Sequence, residues 1–170
     1  MSMTNITFTQ VADFFQILAT QHKTILHTSN APRFFRSWDE ALEKKGKVAN
    51  VSGKGIMIVD EPDLRGEGDN ADYNKRERRI WVWVLMNCDK NDFPAIDAVA
   101  NSCEQIQSDL LSRIKYDAEE LQSENVARYV KINDYSGERV GPLMANWYGY
   151  MFEYKITSNV NLEYDASKWL

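Results

Sequence analysis

The chain is predicted to be an α+β protein: a sheet of about four strands, antiparallel or mixed, packed by a long helix and by an N-terminal helix. Three observations predict this. Residues 79–88 and 146–157 alternate with period 2 and carry large apolar residues on both faces, as buried strands do. Ile96, Val99, Cys103, Ile106, Leu110 and Ile114 form an unbroken stripe at helical spacing. Two capping boxes, Thr7-x-x-Gln10 and Ser37-x-x-Glu40, precede further helical patterns.

Taken in chain order, Thr7 caps a helix over 8–21 that places Val11, Phe14, Phe15, Leu18 and His22 on one side. Ser29, Asn30 and Pro32 mark an irregular connection. A short second helix follows Ser37, with Ala41 and Leu42 inside it and Gly46 placed to end it. Residues 54–60, with Ile56, Met57, Ile58 and Val59, read as a strand that stops at Glu61-Pro62. A long charged loop is expected at 61–78, then a central strand with Ile80, Val82, Val84 and Met86 opposite Trp81, Trp83 and Leu85. Asp92 before Pro94 is an N-cap followed by an early-turn proline, and the helix it starts reaches about Tyr116. A further strand is expected at 128–132, a connection at 135–142, and a last strand in which Tyr148, Tyr150, Phe152, Tyr154 and Ile156 share one face. Trp147, Gly149, Met151, Glu153 and Lys155 share the other. Residues 1–158 are read as one domain and 159–170 as its C-terminal extension; a chain of 170 residues can bury roughly 70% of its unfolded surface in one core. In this order of elements the second face of the sheet has no obvious partner within the chain, and a neighbouring subunit is one way to cover it.

Composition narrows the function. The net charge of −5 argues against broad nucleic-acid binding, which needs a surplus of Lys and Arg on at least one face. Five Trp lean toward protein partners, because Trp and Tyr anchor interfaces. Cys88 and Cys103 are read as buried free thiols of a reducing, intracellular compartment. No N-terminal signal pattern and no membrane-length apolar window are present, so a soluble, non-secreted protein is expected.

Catalytic patterns are sparse. His22 and His27 are five apart, on different faces of a helix, and His22 is read as a surface or partly packed residue. Ser52-Gly-Lys-Gly55 lacks phosphate-loop spacing and reads as a turn before a strand. Residues 60–72 hold six carboxylates against one Arg65, without the calcium-loop pattern. The reading is a solvated loop or hairpin tip, with a metal-dependent hydrolase built on Asp60, Glu61 and Asp63 as the enzyme alternative. Lys75, Arg76, Arg78 and Arg79 follow at once. That charge reversal is consistent either with head-to-tail pairing against a neighbour or with two solvated stretches.

The order helix, strand, long loop, strand, long helix, strand, strand resembles the tail-terminator and neck (head-tail joining) proteins of tailed bacteriophages. The ending from Gly149 through Tyr154, Val160, Leu162 and Tyr164 to Lys168-Trp169 looks like proteins of Bacteroides-type phages and prophages. The resemblance implies a structural virion protein without catalytic residues, cofactor or metal. It implies a homo-oligomeric ring, commonly a hexamer with a dodecamer as the alternative, that contacts other tail and connector proteins and no membrane. DNA would meet it only in passing through the lumen, and assembly would take place in the host bacterial cytoplasm. Carried onto this sequence, the subunit interface would fall on Arg65, Arg76 and Arg78 of the loop, on Trp81 and Trp83 at its base, and on Trp147 and Tyr148 of the last strand. Trp169 in the extension either clasps a neighbour or packs on its own subunit. A non-phage scaffold or adaptor domain is the alternative within the structural class.

Overall fold

In the computed structural model, which describes residues 6–48, 54–67, 75–120, 125–144 and 146–159, helix α1 (Phe8–Gln21) begins on the expected capping box. The Gln10 N–H donates to Thr7 Oγ1 at 3.3 Å and the Thr7 N–H donates to Gln10 Oε1 at 2.8 Å, so two of the donors left over at a helix start are satisfied reciprocally. Strand β1 (Phe34–Phe35) is only two residues long. It is held by His27, whose Nδ1 accepts from the Arg33 and Phe34 N–H groups at 3.1 Å each, and by a 2.7 Å bond from the Met57 N–H to the Arg33 carbonyl. Helix α2 (Trp38–Val48) starts where the Glu40 N–H meets Ser37 Oγ at 3.2 Å, and it runs past Gly46.

Strands β2 (Gly55–Glu67), β3 (Lys75–Asn87), β4 (Val130–Leu143) and β5 (Trp147–Asn159) complete the sheet, and helix α3 (Phe93–Glu120) crosses one face of it. The strand order is β1-β2-β3-β5-β4. Among the described residues only the β1–β2 pair is parallel, so the fold is α+β with a mixed sheet of five described strands, one more than expected. Parity on the two long strands is as the sequence predicts: Ile80 faces Tyr154, Val82 faces Phe152 and Val84 faces Tyr150 across the β3–β5 ladder, all turned toward α3.

The charged loop expected at 61–78 is corrected. The β2–β3 ladder continues to Glu67 and Lys75, and only residues 68–74 between them lie outside the described residues. The register sets Asp63 opposite Arg79, Arg65 opposite Glu77 and Glu67 opposite Lys75. The charge reversal is therefore a set of opposite-sign cross-strand positions within one hairpin, an arrangement that favours pairing. Pro62 sits in the register shift between Asp60 and Asp63, a place in a ladder where a residue without an N–H is tolerated.

Two further expectations change. The chain from Tyr135 to Pro142 is strand, with Tyr135 opposite Tyr154 and Val140 opposite Gly149; residues 126–129 before it form a turn of 3₁₀ helix. Its glycines serve the neighbouring aromatic rings. A Cβ on Gly137 would lie 2.9 Å from the Phe152 ring, and one on Gly141, whose φ is +129°, would lie 2.6 Å from the Tyr148 ring. Helix α3 also outruns Tyr116, because Asp117 turns inward and bonds Arg113 one turn earlier at 2.8 Å.

The main core lies between α1, α3 and the sheet. Val11, Phe15 and Leu18 of α1 and Cys103, Ile106, Leu110 and Ile114 of α3 close over Ile80, Val82, Val84, Phe152, Tyr154 and Ile156. Tyr154 is fully buried, its ring 5.6 Å from that of Phe15 and its hydroxyl donating to Gln107 Oε1; burial pushes its pKa well above the ordinary tyrosine value.

Candidate functional site

The opposite face of the sheet is not bare, as the order of elements suggested. Helix α2 covers one end of it: Ala41 packs with Phe35, Ile56, Ile58, Leu85 and Trp147 in a second small core, flanked by Trp38, Trp83, Val140, Leu143 and Met144. Arg36 anchors this layer. Its side chain donates to Asp13 and to Gln16 Oε1 on α1, and its N–H donates to Glu40 Oε2 at 2.7 Å. Burial alone would raise the Glu40 carboxyl, but the Arg36 N–H and the Lys44 ammonium outweigh it and hold the pKa below the ordinary value.

Beyond this cover the same face carries a row of half-buried tryptophans. Trp38 meets Trp83 edge-to-face with ring centroids 4.9 Å apart, and Trp83 meets Trp81 in the same way at 6.4 Å. Such contacts fix the large rings at little further entropic cost. Charged groups frame the row. Trp81 Nε1 donates to Glu153 Oε2 at 3.3 Å, Arg79 lies 3.6 Å from Glu153 Oε1 and 3.4 Å from Glu77 Oε1, and Lys155 bonds both oxygens of Asp134 at 2.9 and 2.8 Å. The Asp134 contact raises the Lys155 pKa. The Trp83 indole N–H is buried and has no acceptor among the described residues. An orphan donor of this kind costs roughly 1–3 kcal/mol until something accepts from it. Trp, Arg and a ring of partly exposed charge are the composition of a protein-binding surface.

Of the residues expected at an interface, Trp81 and Trp83 stand in this row. Arg78 does not: it is buried, its Nε donates to the Ile6 carbonyl at 2.7 Å, and it pairs with Glu61. It fastens the chain before α1 to the sheet. Arg76 is half-buried opposite Gly66 and Ser158. Trp147 and Tyr148 are buried within their own chain, at 6% and 8% exposure, so they support a surface rather than form one. Arg65 lies on β2 opposite Glu77, but its side chain falls outside the described residues, as does the whole of Trp169. Trp38, Arg79 and Glu153 were missed as site residues. Arg79 and Glu153 share the parity of Trp81 and could have been found from it, whereas nothing local links Trp38 to Trp83.

The carboxylates of the hydrolase alternative have other engagements. Glu61 pairs with Arg78, Asp60 Oδ1 accepts from the Glu61 N–H at 2.9 Å, and the side chain of Asp63 is outside the described residues. Among the described residues no three acidic, His or Cys side chains converge as a metal site. His22 caps α1, with Nδ1 accepting from the Thr24 N–H at 3.2 Å and Nε2 3.3 Å from Asp109, while His27 lies beyond the helix and burial lowers its pKa. Both cysteines are free, but Cys88 is half-buried rather than buried as expected; burial pushes Cys103 up to about 12, the state of an inert core thiol. Among the described residues no helix is long and apolar enough to cross a membrane. No protein-family model and no curated protein matches the chain.

Proposed function

We propose that this chain is a structural virion protein: a tail-terminator or neck subunit that forms a homo-oligomeric ring, caps the tail of a bacteriophage and joins it to the head connector. The observation that carries the proposal is the half-covered sheet face, with Trp81 and Trp83 held rigid and a charged frame of Arg79, Glu77 and Glu153. A neighbouring subunit laid on this face removes the aromatic surface from water. The β2–β3 hairpin runs on from the same face and extends the contact.

The ring and its place in the virion rest on the resemblance in the order of elements. A head-to-tail contact between identical subunits closes into a ring when its rotation allows, and six copies are the number the resemblance implies. The acidic net charge suits a lumen through which DNA passes without being held. The ring assembles in the bacterial cytoplasm with tail and connector proteins as its other partners, and the role needs no cofactor. Negative-stain imaging of the purified chain, alone and mixed with tail tubes, tests it. Closed rings, free or capping tube ends, are expected; a monomer that leaves the tubes uncapped would remove the proposal.

A further inference from the structure

The two edges of the sheet are protected differently. On β2, the short β1 occupies part of the edge, and the register shift that holds Pro62 interrupts the ladder beyond it. On β4, residues 135–140 form an unbroken ladder with β5, residues 133–139 are exposed, and among the described residues no strand lies on the outer side. The backbone of 135–140 bonds to β5 and to no other described segment. Every second residue of such an edge turns its N–H and C=O outward, a template for another strand.

We infer that the β4 edge is a contact for a second copy of this chain, the two β4 strands pairing antiparallel about a two-fold axis through Gly137. The contact uses neither the tryptophan face nor the β2–β3 hairpin, so it goes beyond the ring reading and stands apart from it. Symmetry and charge select this occupant. In an antiparallel pair, residues directly opposite turn their backbone groups both toward each other or both away, so a strand pairing with its own copy places the axis on a residue and not between two. Within the regular stretch two registers overlap most: 135–139 about Gly137, and 136–140 about Glu138. The second sets Glu138 against its own copy, and like charges directly opposite destabilise a pair. The first opposes no like charges. It sets Tyr135 opposite Arg139 and Ser136 opposite Glu138, twice over by symmetry. Arg139 is held on the α3 side by a 2.7 Å bond to Asp97, and Tyr135, 47% exposed, shares its parity, so the ring of one copy meets the guanidinium of the other in a cation–π contact. On the other face the Ser136 hydroxyl meets the Glu138 carboxylate. Gly137, on the axis, puts no side chain between the two Tyr135–Arg139 pairs. A contact of one short strand is smaller than a stable dimer needs, so the pair is transient and dissociates on dilution.

The test is disulfide trapping between full chains, all carrying Cys88→Ser and distinguished by affinity tags. A chain with Ser136→Cys is mixed with one carrying Glu138→Cys and oxidised with diamide. The register about Gly137 puts these thiols directly opposite, while Ser136→Cys against itself is diagonal and out of disulfide reach. Tyr135→Cys with Arg139→Cys is the second pair, since disulfides close more readily at the closer, non-hydrogen-bonded sites of a ladder. All four positions are exposed, and an unaltered circular dichroism melt checks that each variant folds. At least one mixed dimer is expected to form several-fold faster than any self-pair and than an exposed control on α3, Lys115→Cys. Neither mixed dimer outrunning the control overturns the inference, and so does fastest trapping of Glu138→Cys with itself, which puts the axis on Glu138. Repeating the trapping with Trp81→Ala separates this contact from the ring. A mixed dimer that persists there is expected and leaves the edge standing even where the ring fails; its loss shows that the edge has no affinity of its own and overturns the inference.

Discussion

On the α3 side of the sheet, aliphatic and aromatic residues from β3 and β5 disappear under two helices, and the buried Tyr154 hydroxyl donates to Gln107 Oε1, while Gln107 Nε2 has no partner among the described residues. On the α2 side, a helix of 11 residues covers one end of the same strands and leaves Trp81 and Trp83 half-buried, with one indole N–H unanswered among the described residues. The strands are shared, so backbone pairing cannot explain the difference; what covers each face does. Burial on the first side stabilises the subunit, while the second keeps in reserve large, rigid apolar area of the kind that stabilises an association.

Substitutions should divide along this line. The largest effect is expected at Gly149, where β5 passes so close to β3 that a Cβ would lie 2.0 Å from the Val84 carbonyl oxygen and 3.0 Å from Cys103 Sγ. Gly149→Val is expected to abolish soluble folded protein, seen as loss of yield and of the native circular dichroism spectrum. Leu110→Ala, in the middle of the α3 stripe, is expected to cost about 2–5 kcal/mol by urea unfolding. A fully stable Leu110→Ala chain that no longer assembles would reverse the assignment of the two faces.

Smaller effects sharpen the same contrast. Cys103 keeps its proton in the folded state up to about 12, against an ordinary value of 9.0 when unfolded. Between these values the folded chain binds more protons than the unfolded one, so this stabilisation is complete below pH 9 and is lost as pH rises through the window. About 1 kcal/mol should disappear by pH 10, a slope that Cys103→Ala reduces. Smallest in stability is Trp81→Ala on the half-covered face, expected to change urea unfolding by no more than about 1 kcal/mol. Its consequence belongs to assembly.

Much of the α3 side was legible in the sequence, because its signals are local. Thr7 and Gln10 are three residues apart, the stripe from Ile96 to Ile114 repeats within one helix, and the parity of β3 and β5 needs only period 2. The features that shape the other side are not local. Phe34 and Phe35 become a strand only because His27 and Met57 hold them there. Gly137, Gly141 and Pro142 look like loop residues until the rings of Phe152 and Tyr148 are placed beside them. The charges of the β2–β3 hairpin read as a solvated loop until the register sets unlike signs opposite one another. The shared face of Trp81 and Trp83 was legible from their parity, but Trp38, which steadies Trp83, lies on a different element.

The half-covered tryptophan face is tested most directly by size-exclusion chromatography with multi-angle light scattering, comparing the unaltered chain with Trp81→Ala at equal concentration. A closed oligomer is expected for the unaltered chain, and a monomer of nearly unchanged unfolding midpoint for the variant. An oligomer that survives Trp81→Ala, or an unaltered chain that stays monomeric across the accessible concentration range, would contradict the assignment of this face to subunit contact.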